Sequence, residues 1–200
     1  MHPELIKLLE ITRKYLKNSK IEVLTNGLLL PYLDEYSFEV IKNLEVYIRW
    51  SSYPIENGIN MKIEDKLIAE RVPYYKNEVK EFYGIFNPIG NSNPNYQWEH
   101  CSGRDCHVLR KGYISVCPAP AVEHIINKTF NQQLDFTTSR LNIYDKNIDA
   151  EKIIEFLEKP HDVCKYCEGA RMFIWEKQNK PIIEDWYGKG EKNERGVFSN

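Results

Sequence analysis

The chain carries almost no net charge: 27 Lys and Arg stand against 29 Asp and Glu, leaving −2 at pH 7. That balance removes the electrostatic reason to expect a nucleic acid or an anionic membrane as partner. No apolar run approaches the ~20 residues that span a bilayer. The opening MHPELIKLLEITRKYL is an amphipathic pattern rather than an export signal, so a cytoplasmic protein is expected. There is no low-complexity segment. Cysteines are few and odd in number, five in 200 residues, and with no export signal a disulfide framework is not expected.

What is present reads as a globular chain, 42% hydrophobic and 28% charged. In the first half, strands and helices alternate. Pro3 suits a first helical turn, and Leu5, Leu8, Leu9, Thr12 and Leu16 follow at helical spacing. IEVLTNG is a β-branched run closed by Asn26-Gly27. Residues 34–43 read as a helix, 44–52 as a strand, Ile59, Ile63 and Leu67 as the face of a third helix, and 71–75 as a third strand. Strands that recur about every 25 residues with helices between them predict a parallel sheet. Ligands of such sheets sit at the C-terminal strand ends, here Thr25-Asn26-Gly27 and Ser51-Ser52. Periodicity alone equally allows Asn26-Gly27 to be a plain turn and Ser52 a polar strand end. Three strands leave faces and edges to cover, so the segment reads as the later part of a longer α/β domain.

The pattern changes after residue 86. NPIGNSNPNYQW is rich in Asn, Pro and Gly and reads as a linker over 87–98. A small α+β region follows over 99–187, with a strand in GYISVCP, a short helix in PAVEHIINKTF, and a helix that Asp149 caps and Pro160 stops. A polar tail occupies 188–200.

The cysteines all lie in this second half. Cys164-x-x-Cys167 lets two thiolates reach one metal from a tight turn. A lone CxxC also serves redox dithiols, but this one follows a helix rather than opening one. Cys101, Cys106 and Cys117 supply candidates for two further ligands, and Gly112 permits the turn that returns Cys117 towards the others. Four thiolates suit structural zinc or an iron–sulfur cluster, and the spacing leaves both open. His100, His107, His124 and His161 make a mixed Cys/His site a further possibility.

Cys101, ten residues, Gly112, four residues, Cys117 and then the later CxxC resemble the start and completion of a twitch-type auxiliary cluster site, as in radical SAM proteins with SPASM or twitch domains. Cys106 does not fit the first position, because only five residues separate it from Gly112. IEVLTNGLLL and VYIRWSSYP resemble that family's strands ending in Thr-Asn-Gly and in a serine near the SAM ribose. The helix HPELIKLLEITRKYL is similar to the one that follows the family's Gly-Gly-Glu-Pro strand.

The resemblance implies an α/β fold: the later βα units of a partial radical SAM barrel over 1–86, plus a small twitch-like α+β iron–sulfur appendage. It implies an auxiliary [4Fe–4S] cluster on Cys101, Cys117, Cys164 and Cys167, with Cys106 as spare or substitute. It also implies S-adenosyl-L-methionine lined by Thr25, Asn26 and Ser52, if the barrel is completed. The family's CxxxCxxC motif, which holds the SAM-cleaving cluster, occurs nowhere in these 200 residues. SAM cleavage is therefore not expected of this polypeptide alone. A partner chain carrying the motif is one expectation, a truncated product another, and a zinc-stabilised binding module without redox activity a third. The substrate is not specified.

Overall fold

A computed structural model describes residues 2–55, 58–177 and 180–188, and the backbone of 191–192 and 198–199. The polar tail read over 188–200 lies largely outside them. The chain divides into two compact units, Met1–Phe82 with Ile174–Lys177, and Tyr83–Phe173 with Gln178–Asn200. The protein is mixed α/β, and no helix among the described residues is long and apolar enough to cross a membrane.

The first unit is built on a three-stranded parallel sheet of β1 (Ile21–Thr25), β2 (Val46–Ser52) and β3 (Tyr74–Glu78), in that order. Helices α1 (Leu5–Tyr15), α2 (Glu35–Asn43) and α3 (Ile59–Ala69) connect or precede the strands. Asp34 caps α2 by accepting from Ser37 N–H at 2.7 Å. Ile63 and Leu67 of α3 are fully buried, as their four-residue spacing predicts. In α1 only Leu9 is buried, while Leu8 and Leu16 stay exposed.

The third strand begins later than 71–75. Arg71 takes a left-handed φ of 54°, Val72 N–H reaches Leu67 O at 3.2 Å, and Arg71 N–H reaches Ile68 O at 3.0 Å. These are the two bonds of a Schellman stop, so Arg71 and Val72 belong to the end of α3 and pairing starts at Tyr74.

Phe38 and Ile41 of α2, Ile63 and Leu67 of α3, and Val46, Ile48 and Trp50 of β2 form one fully buried core. The opposite sheet face is open. Leu24 is 70% exposed and Arg49 is exposed; Tyr47 and Tyr75 stack at 5.6 Å with Lys20 over both rings. Parallel sheets ordinarily bury both faces.

The second unit is organised around short elements. Strand β4 (Glu81–Phe86) leads into it from the first unit. The stretch read as a linker contains helix α4 (Pro94–Glu99), capped by Asn93 with Pro94 in its first turn. Asn87, 2% exposed, donates to Asn91 and Ser92 side chains and accepts from Ile89 N–H, so this polar segment folds on itself. An antiparallel sheet follows: β5 (Val108–Arg110), β6 (Tyr113–Ser115) and β7 (Arg140–Asn142). Between β6 and β7 runs α5 (Pro118–Phe130), longer than the sequence suggested. Helix α6 (Ala150–Leu157) is capped by Asp149, which accepts from Lys152 N–H at 2.9 Å. A 3-10 turn (Asp162–Tyr166) leads into β8 (Cys167–Ile174), the partner of β4. Among the described residues the buried cluster here is Val116, Phe136 and Val163, with Leu134, Phe156, Leu157, Cys117, Cys164 and Tyr166 packed against it.

Candidate metal centre

The CxxC pair brackets the end of the 3-10 turn, with Cys164 inside it and Cys167 opening β8. The turn is pinned from below by Val163, which is 1% exposed and donates its N–H to Ser139 Oγ at 3.2 Å. Cys164 N–H bonds back to His161 O at 2.9 Å. A five-residue turn held at both its core and its backbone presents the two sulfurs in a fixed relation, as metal knuckles require.

Cys101 arrives from the other direction. Helix α4 packs against this same 3-10 turn. Ser92 N–H donates to Lys165 O at 3.1 Å and Asn87 N–H to Tyr166 O at 2.8 Å, fixing the approach. Cys101 then continues past α4 with its N–H on Trp98 O at 3.2 Å.

Cys117 is delivered by the hairpin. Arg110 pairs with Tyr113, so Lys111 and Gly112 alone make the turn. Their φ values are 50° and 79°, the signs of a type I′ turn, the two-residue connection that matches strand twist. β6 then runs directly into Cys117, the N-cap residue of α5. The turn expected at Gly112 is the one observed.

The thiols sense one another. Cys167 is pushed up to about 12, first by burial and then by the charges Cys117, Cys164 and Cys101 would carry. Cys117 is pushed up to about 11, first by burial and then through Cys164, Cys101 and Cys106. Burial raises Cys164 as well, with Cys101 adding to it. Cys101 adds to the rise at each of Cys117, Cys164 and Cys167. Cys106 is exposed and adds to the rise at Cys117. All five thiols are free.

The donor set fits a four-thiolate centre in kind and in number. Burial and repulsion favour the neutral thiol at Cys117, Cys164 and Cys167, and a bound cation would oppose both effects. Among the described residues no group of three or more His, Cys, Asp or Glu is drawn together closely enough to hold an ion as it stands.

Three histidines each hold one ring nitrogen on a backbone oxygen. A ring nitrogen of His100 faces Tyr96 O at 2.9 Å, one of His107 faces Val116 O at 3.0 Å, and one of His161 faces Phe156 O at 2.7 Å. Trp175 belongs to the first unit, where its ring meets Tyr53 at 5.6 Å. Tyr166 does adjoin the cysteine region, edge-on to Phe136 at 5.1 Å.

In the first unit, Thr25, Asn26 and Ser52 do lie at the C-terminal ends of neighbouring parallel strands. Thr25 Oγ1 accepts from Gly27 N–H at 3.1 Å and Asn26 Oδ1 from Leu28 N–H at 3.2 Å. Both side chains therefore shape the turn that Gly27 completes at φ 81°. Ser52 is 7% exposed. A feature the sequence did not announce sits beside them: Trp50 Nε1–H is buried against Gly27 with no hydrogen-bond partner among the described residues. A Cβ at Gly27 would lie 2.7 Å from that nitrogen.

Also unannounced is a basic recess between β5–β7 and α5, carrying Arg110 and Arg140. It emerges only once the register of three short strands is known. No family model and no curated protein matches the chain.

Proposed function

We propose that the chain is an iron–sulfur protein resembling the C-terminal part of a radical SAM enzyme. In this reading its second unit holds one auxiliary [4Fe–4S] cluster on Cys101, Cys117, Cys164 and Cys167. What supports it is that Cys117 and Cys164 pack at the margin of one small core, and that helix α4, which leads to Cys101, packs against the turn that carries Cys164 and leads into Cys167. When bound, such a cluster supplies an orienting site for substrate or a relay for an electron. The chain's own contribution is to hold four sulfurs in order: the 3-10 turn sets two, the Lys111-Gly112 hairpin a third, and helix α4 the fourth.

Cleavage of SAM is not assigned to these residues, which lack CxxxCxxC. Thr25, Asn26 and Ser52 would line a SAM pocket only with a polypeptide that carries the motif and completes the barrel. The open face of the parallel sheet is consistent with such a partner. Co-expression with a chain bearing CxxxCxxC, followed by assay for 5′-deoxyadenosine, tests that extension.

A zinc-stabilised module is the second reading, favoured by the same small core, since structural zinc contributes folding energy directly. Anaerobic purification and reconstitution with iron and sulfide separates the two. The iron–sulfur reading expects a brown protein with about four irons per chain and a reduced-state EPR signal. A colourless protein that takes zinc and no iron refutes it. Cys106→Ser should retain the cluster and Cys117→Ser should lose it.

A further inference from the structure

The β5–β6–β7 sheet gathers cations on one face. Arg110 pairs across with Tyr113, and Ser115 with Arg140. Tyr113 and Ser115 are two residues apart on β6, so all four side chains share a face. Helix α5 packs on β5 and β6 and adds Glu123 and His124. Together they enclose a recess of about 260 Å³.

The charges in it do not cancel. Arg110, Lys111 and Arg140 line the recess against a single carboxylate, Glu123. Glu123 is already divided: its Oε2 accepts from Phe136 N–H at 2.8 Å and faces Arg140 Nη2 at 3.6 Å. Among the described residues neither Arg110 nor Lys111 has an ion-pair partner. Arg110 is held in place instead, its Nη1 donating to Ala121 O and to His124 Nδ1 at 3.3 Å. That uses the two hydrogens of Nη1 and keeps the Nε and Nη2 donors of the fork. A guanidinium braced by neutral acceptors, beside a second guanidinium and an ammonium, is the arrangement that recognises a multiply charged oxyanion. In a chain of net charge −2, this local excess of two positive charges is a concentrated feature.

We propose that this recess binds the phosphate group of a small phosphorylated molecule. A phosphate dianion neutralises the excess, whereas a monocarboxylate leaves half of it uncompensated. The volume suits a phosphoryl group and its first few attached atoms rather than a polymer. The site shares β6 and α5 with Cys117 but needs no metal for its own donors, so it stands independently of the iron–sulfur reading.

The test is calorimetric titration of the full chain, purified without oxygen, with inorganic phosphate, glycerol 3-phosphate and acetate, each at low ionic strength. Saturable one-to-one binding of a phosphate probe is expected, with amide shifts confined to 110–115, 121–124 and 140 in NMR spectra. Arg110→Gln should weaken it about tenfold or more, the loss of a charge-assisted hydrogen bond. Lys111→Gln, on an exposed turn, should weaken it less while leaving the fold intact. This second variant keeps the test decisive if Arg110→Gln fails to fold. Equal affinity for the two phosphate probes identifies a free oxyanion as sufficient, and tighter glycerol 3-phosphate identifies the organic ester. The proposal is overturned if neither phosphate probe saturates, if acetate binds as tightly, or if both substitutions leave the affinity unchanged.

Discussion

The two units solve the same problem with different means. The first buries eleven hydrophobic residues in one cluster, Leu9 to Val72, fed by three helices and a parallel sheet. Among the described residues the second's cluster buries three, Val116, Phe136 and Val163, with Leu134, Phe156, Leu157, Tyr166, Cys117 and Cys164 packed against it. A fully buried Val, Leu, Ile or Phe stabilises by about 1.5–3 kcal/mol. The first cluster therefore gains several times the apolar burial of the second. Small units of the second kind are commonly stapled by metal. On the proposed reading, the first unit's stability would be a matter of packing and the second's a matter of coordination.

The strongest way to break that contrast is to remove the CxxC pair. Cys164→Ser with Cys167→Ser should abolish metal uptake and release the second unit's amides to exchange, a loss on the order of 10 kcal/mol of apparent metal-linked folding energy. Hydrogen exchange should find β1–β3 amides still protected. Protection retained through β5–β7 and α5 would mean that the second unit holds without metal, and the contrast would collapse.

Trp50→Ala is the converse. Trp50 is fully buried in the first core, and its truncation should cost about 3–5 kcal/mol. The readout is the first unit's denaturation midpoint, with metal content of the second unchanged. Trp50→Phe should cost less, because it also removes the unpartnered Nε1–H. A Phe variant as damaged as the Ala variant would show that the indole nitrogen is in fact satisfied.

Legibility in the sequence follows the same divide. Strong periodicity made the first unit readable: Ile63 and Leu67 are buried at their predicted spacing, Asp34 caps where α2 begins, and the three strands are parallel. The error at β3 arose because Val72 looks like a strand residue but serves the hydrophobic end of a helix stop. In the second unit, Gly112 was readable because the backbone there needs positive φ. Helix α4 was not, since six residues capped by Asn-Pro look like a loop. Nor was the recess around Arg110 and Arg140, because strands of three residues carry too little alternation to fix a register. It was the family resemblance that ranked Cys101 above Cys106; Cys106 is exposed and Cys101 is half-buried.

Gly112→Ala probes the hinge of the contrast with a smaller perturbation. At φ 79° an alanine costs about 1–2 kcal/mol in backbone strain. The added Cβ would also collide with the Tyr144 ring, which is 78% exposed and able to swing aside. Backbone strain therefore dominates, and it falls on the turn that returns Cys117. If the second unit depends on coordination, cluster or zinc affinity should drop several-fold while the first unit's midpoint stays fixed. Equal metal affinity in the variant would show that Cys117 is positioned by α5 and the core, with the hairpin incidental.

The smallest test compares helix caps across the two units. Hydrogen bonds to Ser37 hold Asp34 below the usual carboxylate range, and the Lys152 N–H does the same for Asp149. A carboxylate depressed in the folded state stabilises fully above its unfolded value near 4. That contribution is lost as pH falls through the lower folded value. Asparagine caps about as well as aspartate but does not titrate. Asp34→Asn and Asp149→Asn should therefore leave stability at pH 7 nearly unchanged and flatten its fall below about pH 4. In the first unit the flattening should show directly in the acid midpoint. In the second it should be masked, because acid protonates the thiolate ligands and releases the metal first. An acid midpoint that responds equally to both substitutions would mean that packing, not coordination, limits both units.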